Sequence, residues 1–161
     1  MKYLLDNQQL PRGPYPLISS ATKPITFYQN YNFESQKITI STRGNPGFVM
    51  WQPQRFWATA LAAVLSVKDQ SVVNPKFLYY ALKLQERELQ MKKEGGGVKA
   101  LYFNHFKTLM IDLPDLAIQN AIVTILDDLE QIACDFKTGL PARIKQANLE
   151  YQYYLKQIFK Y

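Results

Sequence analysis

Hydrophobic and polar positions alternate in short runs over the first part of the chain, and then the period lengthens. Tyr15-Pro-Leu-Ile-Ser reads as a strand entered through Pro16, and Pro24-Ile-Thr-Phe-Tyr as a second. Lys37-Ile-Thr-Ile-Ser predicts a third, with clean alternation of Ile38 and Ile40. Arg43-Gly-Asn-Pro-Gly is turn chemistry, since glycine permits positive φ and proline presets its own. Phe48-Val-Met-Trp predicts a fourth strand. Trp57 to Leu65 is almost wholly apolar, is bounded by turn residues and ends in Val64-Leu65-Ser-Val. It reads as one buried strand, with an alanine-rich helix as the alternative.

At Asn74 the period becomes helical. Asn74 is an N-cap followed by Pro75 at the first helical position. Phe77, Leu78, Ala81, Leu82 and Leu89 then form a stripe at helical spacing. The helix is predicted to run to Lys92 and Lys93, where the dipole favours cations, and to stop at Gly95-Gly96-Gly97. Leu109-Met-Ile-Asp-Leu113 predicts a short strand ending at Pro114. Asp115 is placed to cap the first helix of a C-terminal arm. Ile118, Ile122, Ile125, Leu129, Ile132 and Phe136 recur in alternating steps of four and three, the seam of a helix that packs along another helix. A second seam runs through Leu140, Ile144, Ala147, Tyr151, Tyr154, Ile158 and Tyr161, with Pro141 breaking the arm between the two.

Charge sharpens this division. Residues 1–110 carry 14 Lys+Arg against 6 Asp+Glu, whereas residues 111–161 carry 5 against 7. A basic body with a mildly acidic arm favours a polyanionic partner of the body, through counterion release. An apolar fraction of 47% supports a buried core in a chain of 161 residues. No apolar run is long enough for a bilayer, and the first residues lack the pattern of a signal peptide. Cys134, the single cysteine, excludes an internal disulfide and reads as a small apolar filler. These features together predict a cytoplasmic protein.

Catalytic constellations are missing. One histidine, His105, and one cysteine cannot build the usual zinc site, and no glycine pattern matches a phosphate loop or dinucleotide fingerprint. Gly95-Gly96-Gly97 is a helix stop or, with Lys99, a backbone-exposing loop that meets a phosphate; both readings stand. Asn45-Pro46-Gly47-Phe48 resembles the Asn-Pro-Pro-Phe/Tyr signature of amino-methyltransferases. The glycine in place of the second proline, and the lack of any cofactor-binding loop before it, favour a tight turn instead. Phe56 and Trp57 read as core. Tyr28 and Tyr31 are either core or stacking platforms for bases.

The order of segments carries a resemblance. Tyr15-Pro-Leu-Ile-Ser-Ser, Lys23-Pro-Ile, Tyr31-Asn-Phe, Ile38-Thr-Ile-Ser-Thr-Arg-Gly, Gly47-Phe-Val and Phe56-Trp-Ala-Thr succeed one another as in the target-recognition domain of type I restriction–modification specificity subunits. The similarity continues through Asn74-Pro75-Lys-Phe-Leu-Tyr-Tyr80, Leu101, Asp112-Leu-Pro-Asp-Leu-Ala-Ile-Gln119, Ile125-Leu126-Asp127, Gly139-Leu-Pro-Ala and Tyr151-Gln-Tyr-Tyr154. The resemblance implies an α+β chain: a mixed-sheet target-recognition domain over residues 1–114, then a long coiled-coil-type helical arm over residues 115–161. It also implies half of a specificity subunit, which in this family has two recognition domains and two helical regions. Such a subunit is not an enzyme. It directs modification subunits that methylate adenine and restriction subunits that cleave, so S-adenosylmethionine, ATP and magnesium would belong to those partners and no cofactor to this chain. The implied partners are double-stranded DNA, both kinds of subunit, and a second copy or another half-subunit. Candidate DNA contacts, all in or beside predicted loops, are Lys23, Arg43, Asn45, Arg55, Lys99 and Asn104, with Arg43 foremost because its turn lets the backbone approach closely. Candidate helix–helix contacts are Ile118, Ile122, Ile125, Leu129, Ile132, Ile144, Tyr151 and Tyr154. A protein-interaction adaptor that works through the arm alone, or an inactive truncated specificity cassette, are the alternatives.

Overall fold

A computed structural model describes residues 12–92, 94, 100–107 and 109–132. The chain divides into two compact units, Met1–Asn120 and Ala121–Tyr161. The first holds two three-stranded sheets. β1 (Tyr15–Ile18) lies between β2 (Thr26–Tyr28), antiparallel, and β5 (Trp57–Ala58), parallel. β3 (Lys37–Ser41) lies between β4 (Val49–Gln52) and β6 (Ala62–Leu65), both antiparallel. The helices are α1 (Pro75–Leu84), α2 (Glu86–Met91) and α3 (Phe103–Lys107), followed by helical backbone over residues 116–132 (α4). The fold is α+β, with mixed sheets first and helices after.

Two apolar clusters sandwich β3. Ile38 and Ile40 meet Val49, Tyr79, Leu82, Leu89 and Leu101, which brings α1 and α2 onto one face of that sheet. Ile18, Phe56 and Ala58 meet Met50, Ala62 and Val64, which joins the two sheets. The alternation at Ile38 and Ile40 marks a strand, as expected. Thr39 and Ser41 are buried too, because β3 is the central strand and is covered on both sides. Gln52 Nε2 donates to Thr39 Oγ1 at 2.9 Å and so satisfies one of those polar atoms.

Trp57–Leu65 is not one strand. It breaks at Thr59–Leu61, and its two pieces belong to different sheets. Side chains hold the crossover. Asn32 brackets the Ala58 peptide, accepting from its N–H at 2.8 Å and donating to its carbonyl at 3.0 Å, as a neighbouring strand would. Thr59 Oγ1 donates to Ser19 Oγ at 3.0 Å and accepts from the Leu61 N–H at 3.3 Å. A threonine and a distant asparagine thus supply a corner that no glycine or proline announces.

Asn74 caps α1 as expected, accepting from the backbone of Lys76 and Phe77, with Pro75 in the first turn. The predicted single helix to Lys93 is instead two helices broken at Gln85. Across the break, Glu86 accepts from the Val49 N–H at 2.9 Å and from Lys83 Nζ at 2.6 Å, while Lys83 Nζ also donates to the Val49 carbonyl at 3.1 Å. Both outward backbone groups of Val49, on edge strand β4, are thereby occupied. Leu109–Leu113 forms no strand. Its chain is fixed by Gln85 Nε2 donating to the Met110 carbonyl at 2.8 Å and by Leu109 and Ile111 packing on the core.

The first turn of α4 belongs to the first unit, and Gln119 is the reason. This side chain is fully buried. Its Oε1 accepts from the Asn74 N–H at 2.9 Å, and its Nε2 donates to the carbonyls of Val72 at 2.9 Å and Pro114 at 2.8 Å. Asn74 Nδ2 adds a bond to Asn120 Oδ1 at 2.7 Å. Along α4, Ile118, Ile125, Leu129 and Ile132 are exposed and Ile122 is half-buried. Ile144, Tyr151, Tyr154 and the break at Pro141 lie outside the described residues, as do Gly95–Gly97.

Candidate nucleic-acid interface

β1 and β5 run parallel, and β3 runs to its turn at the same end. Four chain segments meet there. The Thr59 N–H donates to the Ile18 carbonyl at 2.9 Å, the Thr42 N–H and Oγ1 both donate to the Leu61 carbonyl, at 2.9 and 3.0 Å, and the Leu101 N–H donates to the Thr42 carbonyl at 2.8 Å. Gly44, at φ +69°, sits so tightly that a Cβ there would stand 2.9 Å from Ser20 Cβ and Oγ. The Arg43 turn is therefore pressed against the loop that carries Lys23. Gly47, at φ +91°, packs the other side of the turn on Leu89 and Gln90 of α2. Asn45-Pro46-Gly47-Phe48 is the tight turn its glycine suggested, closed by Gly47 N–H to the Ser41 carbonyl at 2.8 Å and Ser41 N–H to the Phe48 carbonyl at 3.0 Å.

Of the predicted DNA contacts, Lys23 and Arg43 lie on these touching loops. Both are exposed, and among the described residues no carboxylate pairs with either. Asn45 is half-buried in the same turn, its N–H donating to the Arg43 carbonyl at 2.8 Å. Asn104 is exposed, on α3 and not in a loop, shortly after Leu101 joins the Arg43 turn. Lys99 lies outside the described residues. Arg55 stands apart, beyond the far ends of β3 and β4. Its guanidinium bonds Glu34 at 2.8 Å and lies 4.7 Å over the Tyr31 ring. The hydrogen bond to Glu34, and then that residue's charge, raise the Arg55 pKa above its ordinary value.

The aromatic groups left open also resolve. Tyr28 stands edge-on to Trp57 at 5.2 Å, and Tyr31 packs on Tyr15 at 4.9 Å and under Arg55, so both are engaged within the fold. A cavity of about 390 Å³ between β1–β2 and β4 is lined by Pro16, Phe27, Met50, Trp51, Tyr79 and Lys83 among others. It is apolar, and its one cation is already paired with Glu86. Among the described residues no group of His, Cys, Asp and Glu could hold a metal, and no helix is long and apolar enough to cross a membrane. The loop end carries two exposed cations, Lys23 and Arg43, with no carboxylate partner among the described residues.

The model of the type I restriction modification DNA specificity domain matches residues 2–146. The chain belongs to this family. S.MpnORF285P of Mycoplasma pneumoniae, named as a type I specificity subunit, is 29% identical over 164 residues, covering 99% of this chain and 52% of its own length. S.HindORF215P of Haemophilus influenzae, named as a type I restriction enzyme specificity subunit, is 28% identical over 174 residues, covering 99% of this chain and 44% of itself. The crystal structure of a type I restriction–modification S subunit from M. genitalium superposes with a TM-score of 0.73 at 21% identity, over 93% of this chain and 40% of that one, a likeness of fold. This member of the specificity-domain family spans about half the length of the curated relatives it matches.

Two signals of the site escaped sequence reasoning. The contact of Leu101 with Thr42, which ties the segment just before Tyr102 and α3 to the start of the Arg43 turn, joins residues far apart in the chain and has no local pattern. Ser20, against Gly44, belongs to the Tyr15–Ser20 run but looks like any polar loop residue.

Proposed function

We propose that this chain is a non-catalytic half specificity subunit that recognises one half of a split DNA target. The observation that carries this reading is the loop end of a specificity-domain body, where Lys23 and Arg43 are exposed, are carried on touching loops and have no carboxylate partner among the described residues. Cations of this kind fix register on phosphates, while neighbouring polar side chains reach base edges. Arg55, neutralised by Glu34, drops out of the DNA face. The body extends over residues 1–114 and the helical arm over 115–161. The arm pairs with a second copy or with another half-subunit through Ile118, Ile122, Ile125, Leu129, Ile132, Ile144, Tyr151 and Tyr154. The exposed apolar stripe on α4 and the half-length of the chain support this. The protein acts in the cytoplasm with modification subunits, which supply S-adenosylmethionine and the methyl transfer, and with restriction subunits.

The test combines two measurements. Binding of the full chain to duplex DNA is followed against salt, and the chain is captured from its native cell to identify co-purifying subunits. Steeply salt-dependent binding that prefers one sequence, with an adenine methyltransferase subunit recovered, is the expected result. Salt-insensitive behaviour with no DNA preference would remove the reading.

A further inference from the structure

We infer that Tyr102 reads one base pair of the target and that His105 is the positioning residue holding it beside Arg43; the inference rests on the DNA-recognition reading above. The Leu101 N–H donates to the Thr42 carbonyl, so Tyr102 comes directly after the residue locked to the Arg43 turn. The next peptide is held from the other side. The Tyr102 N–H donates to His105 Nδ1 at 3.1 Å, which leaves the proton of a neutral imidazole on Nε2. That nitrogen faces Glu94 Oε1 at 3.1 Å. Glu94 is itself anchored, exchanging both backbone hydrogen bonds with Ala100, at 3.0 and 2.8 Å. Leu101, Tyr102, His105, Glu94 and Ala100 thus form a closed circuit around one short stretch of backbone, and Leu101 ties it to Thr42.

What the circuit presents is a tyrosine with no part in either core cluster. Leu101 is 3% exposed, whereas Tyr102 is 50% exposed, its ring 6.2 Å from that of His105. With the Tyr102 backbone already held, binding has only the two χ angles of its side chain to order. Its phenol is both donor and acceptor and so can meet either kind of group on a base edge, whereas Arg43, on the neighbouring turn, is charged and can meet a phosphate. Position and chemistry therefore divide the work: Arg43 supplies affinity common to all sequences, and Tyr102 supplies discrimination.

The experiment selects from a pool of random-sequence duplexes with the full chain and its variants, and measures binding to one arbitrary duplex as the sequence-independent control. Tyr102→Phe keeps the ring and every backbone bond. It is expected to lose roughly tenfold preference at one base-pair position, with control affinity and salt slope unchanged. His105→Ala is expected to lose preference at the same position. His105→Asn, whose side-chain oxygen can take the place of Nδ1 for the Tyr102 N–H, is expected to restore it. Full preference at every position with Tyr102→Phe, or His105→Asn behaving like His105→Ala, would overturn the inference and leave DNA recognition standing. A wild-type chain that enriches no sequence would overturn both.

Discussion

Gln119 offers the sharpest quantitative test of the fold. Its amide makes three hydrogen bonds, to the Asn74 N–H and to the Val72 and Pro114 carbonyls, from a fully buried position. At about 1 kcal/mol net per bond, Gln119→Ala should cost roughly 3 kcal/mol, and more if the abandoned groups stay dry. That is a large share of the ~5–15 kcal/mol typical of a domain. Trp51 and Trp57 both lie in the sheets, so urea unfolding followed by their fluorescence reports on the body directly. A loss below about 1 kcal/mol would refute the reasoning, because it would mean that water or rearrangement satisfies all three groups.

Gln119→Glu separates the two halves of the interaction. A carboxylate still accepts from Asn74 but points its second oxygen at two carbonyls. Burial and those dipoles raise the folded-state pKa of the introduced carboxyl above its unfolded value of about 4.3. The penalty is therefore absent below the unfolded pKa, where both states are protonated, and grows as pH rises toward the folded pKa. The variant should approach the wild type on acidification from pH 7 toward about 4. A difference independent of pH would show that the carbonyls do not face the introduced oxygen.

Three more substitutions probe the loop end and the corners that support it. Arg43→Ala should weaken DNA binding across all sequences and reduce the salt slope by about one, while Arg55→Ala leaves both nearly unchanged; equal effects in filter-binding titrations would contradict the separation of the two arginines. Asn32→Ala removes both bonds to the Ala58 peptide and should cost about 2 kcal/mol in urea unfolding, against near-neutrality if the sheet-to-sheet corner is held by packing alone. Gly47→Ala places a Cβ 2.8 Å from the Gln90 N at φ +91° and should destabilise by at least ~2 kcal/mol, whereas an unchanged melting temperature would mean that the turn does not bear on α2.

Local signals reached as far as local causes do. The strands around Ile18 and Ile38 and the cap at Asn74 were legible because alternation and capping chemistry sit within a few residues. Trp57–Leu65 misled because an unbroken apolar run cannot show that Asn32 and Ser19 will turn it into two strands. The α1–α2 break was hidden for a similar reason: Gln85 and Glu86 are ordinary helix residues until Met110 and Val49 recruit their side chains. Leu109–Leu113 alternates like a strand, but its carbonyl at Met110 is taken by a side chain. The candidate site follows the same rule. Arg43 and Lys23 stand out as loop cations, whereas Arg55 looks identical in sequence and is paired with Glu34, distant in the chain.

The arm poses an energetic question that its first seam cannot answer alone. Ile118, Ile125, Leu129 and Ile132 are 52%, 60%, 55% and 50% exposed. Covering the remaining half of each is worth roughly 1 kcal/mol, since full burial of such a side chain yields about 1.5–3 kcal/mol. Four residues on each of two paired helices then give about 8 kcal/mol. Association itself costs ~4–15 kcal/mol, so the stripe by itself supports a millimolar complex at best. A stable pair needs comparable area from the second seam, where Ile144, Tyr151 and Tyr154 recur at helical spacing. The full chain should therefore sediment as a pair at micromolar concentration, while a chain ending at Thr138 stays monomeric with its body folded. Equal association of the two would place all the binding energy in the first seam and refute this division between the seams.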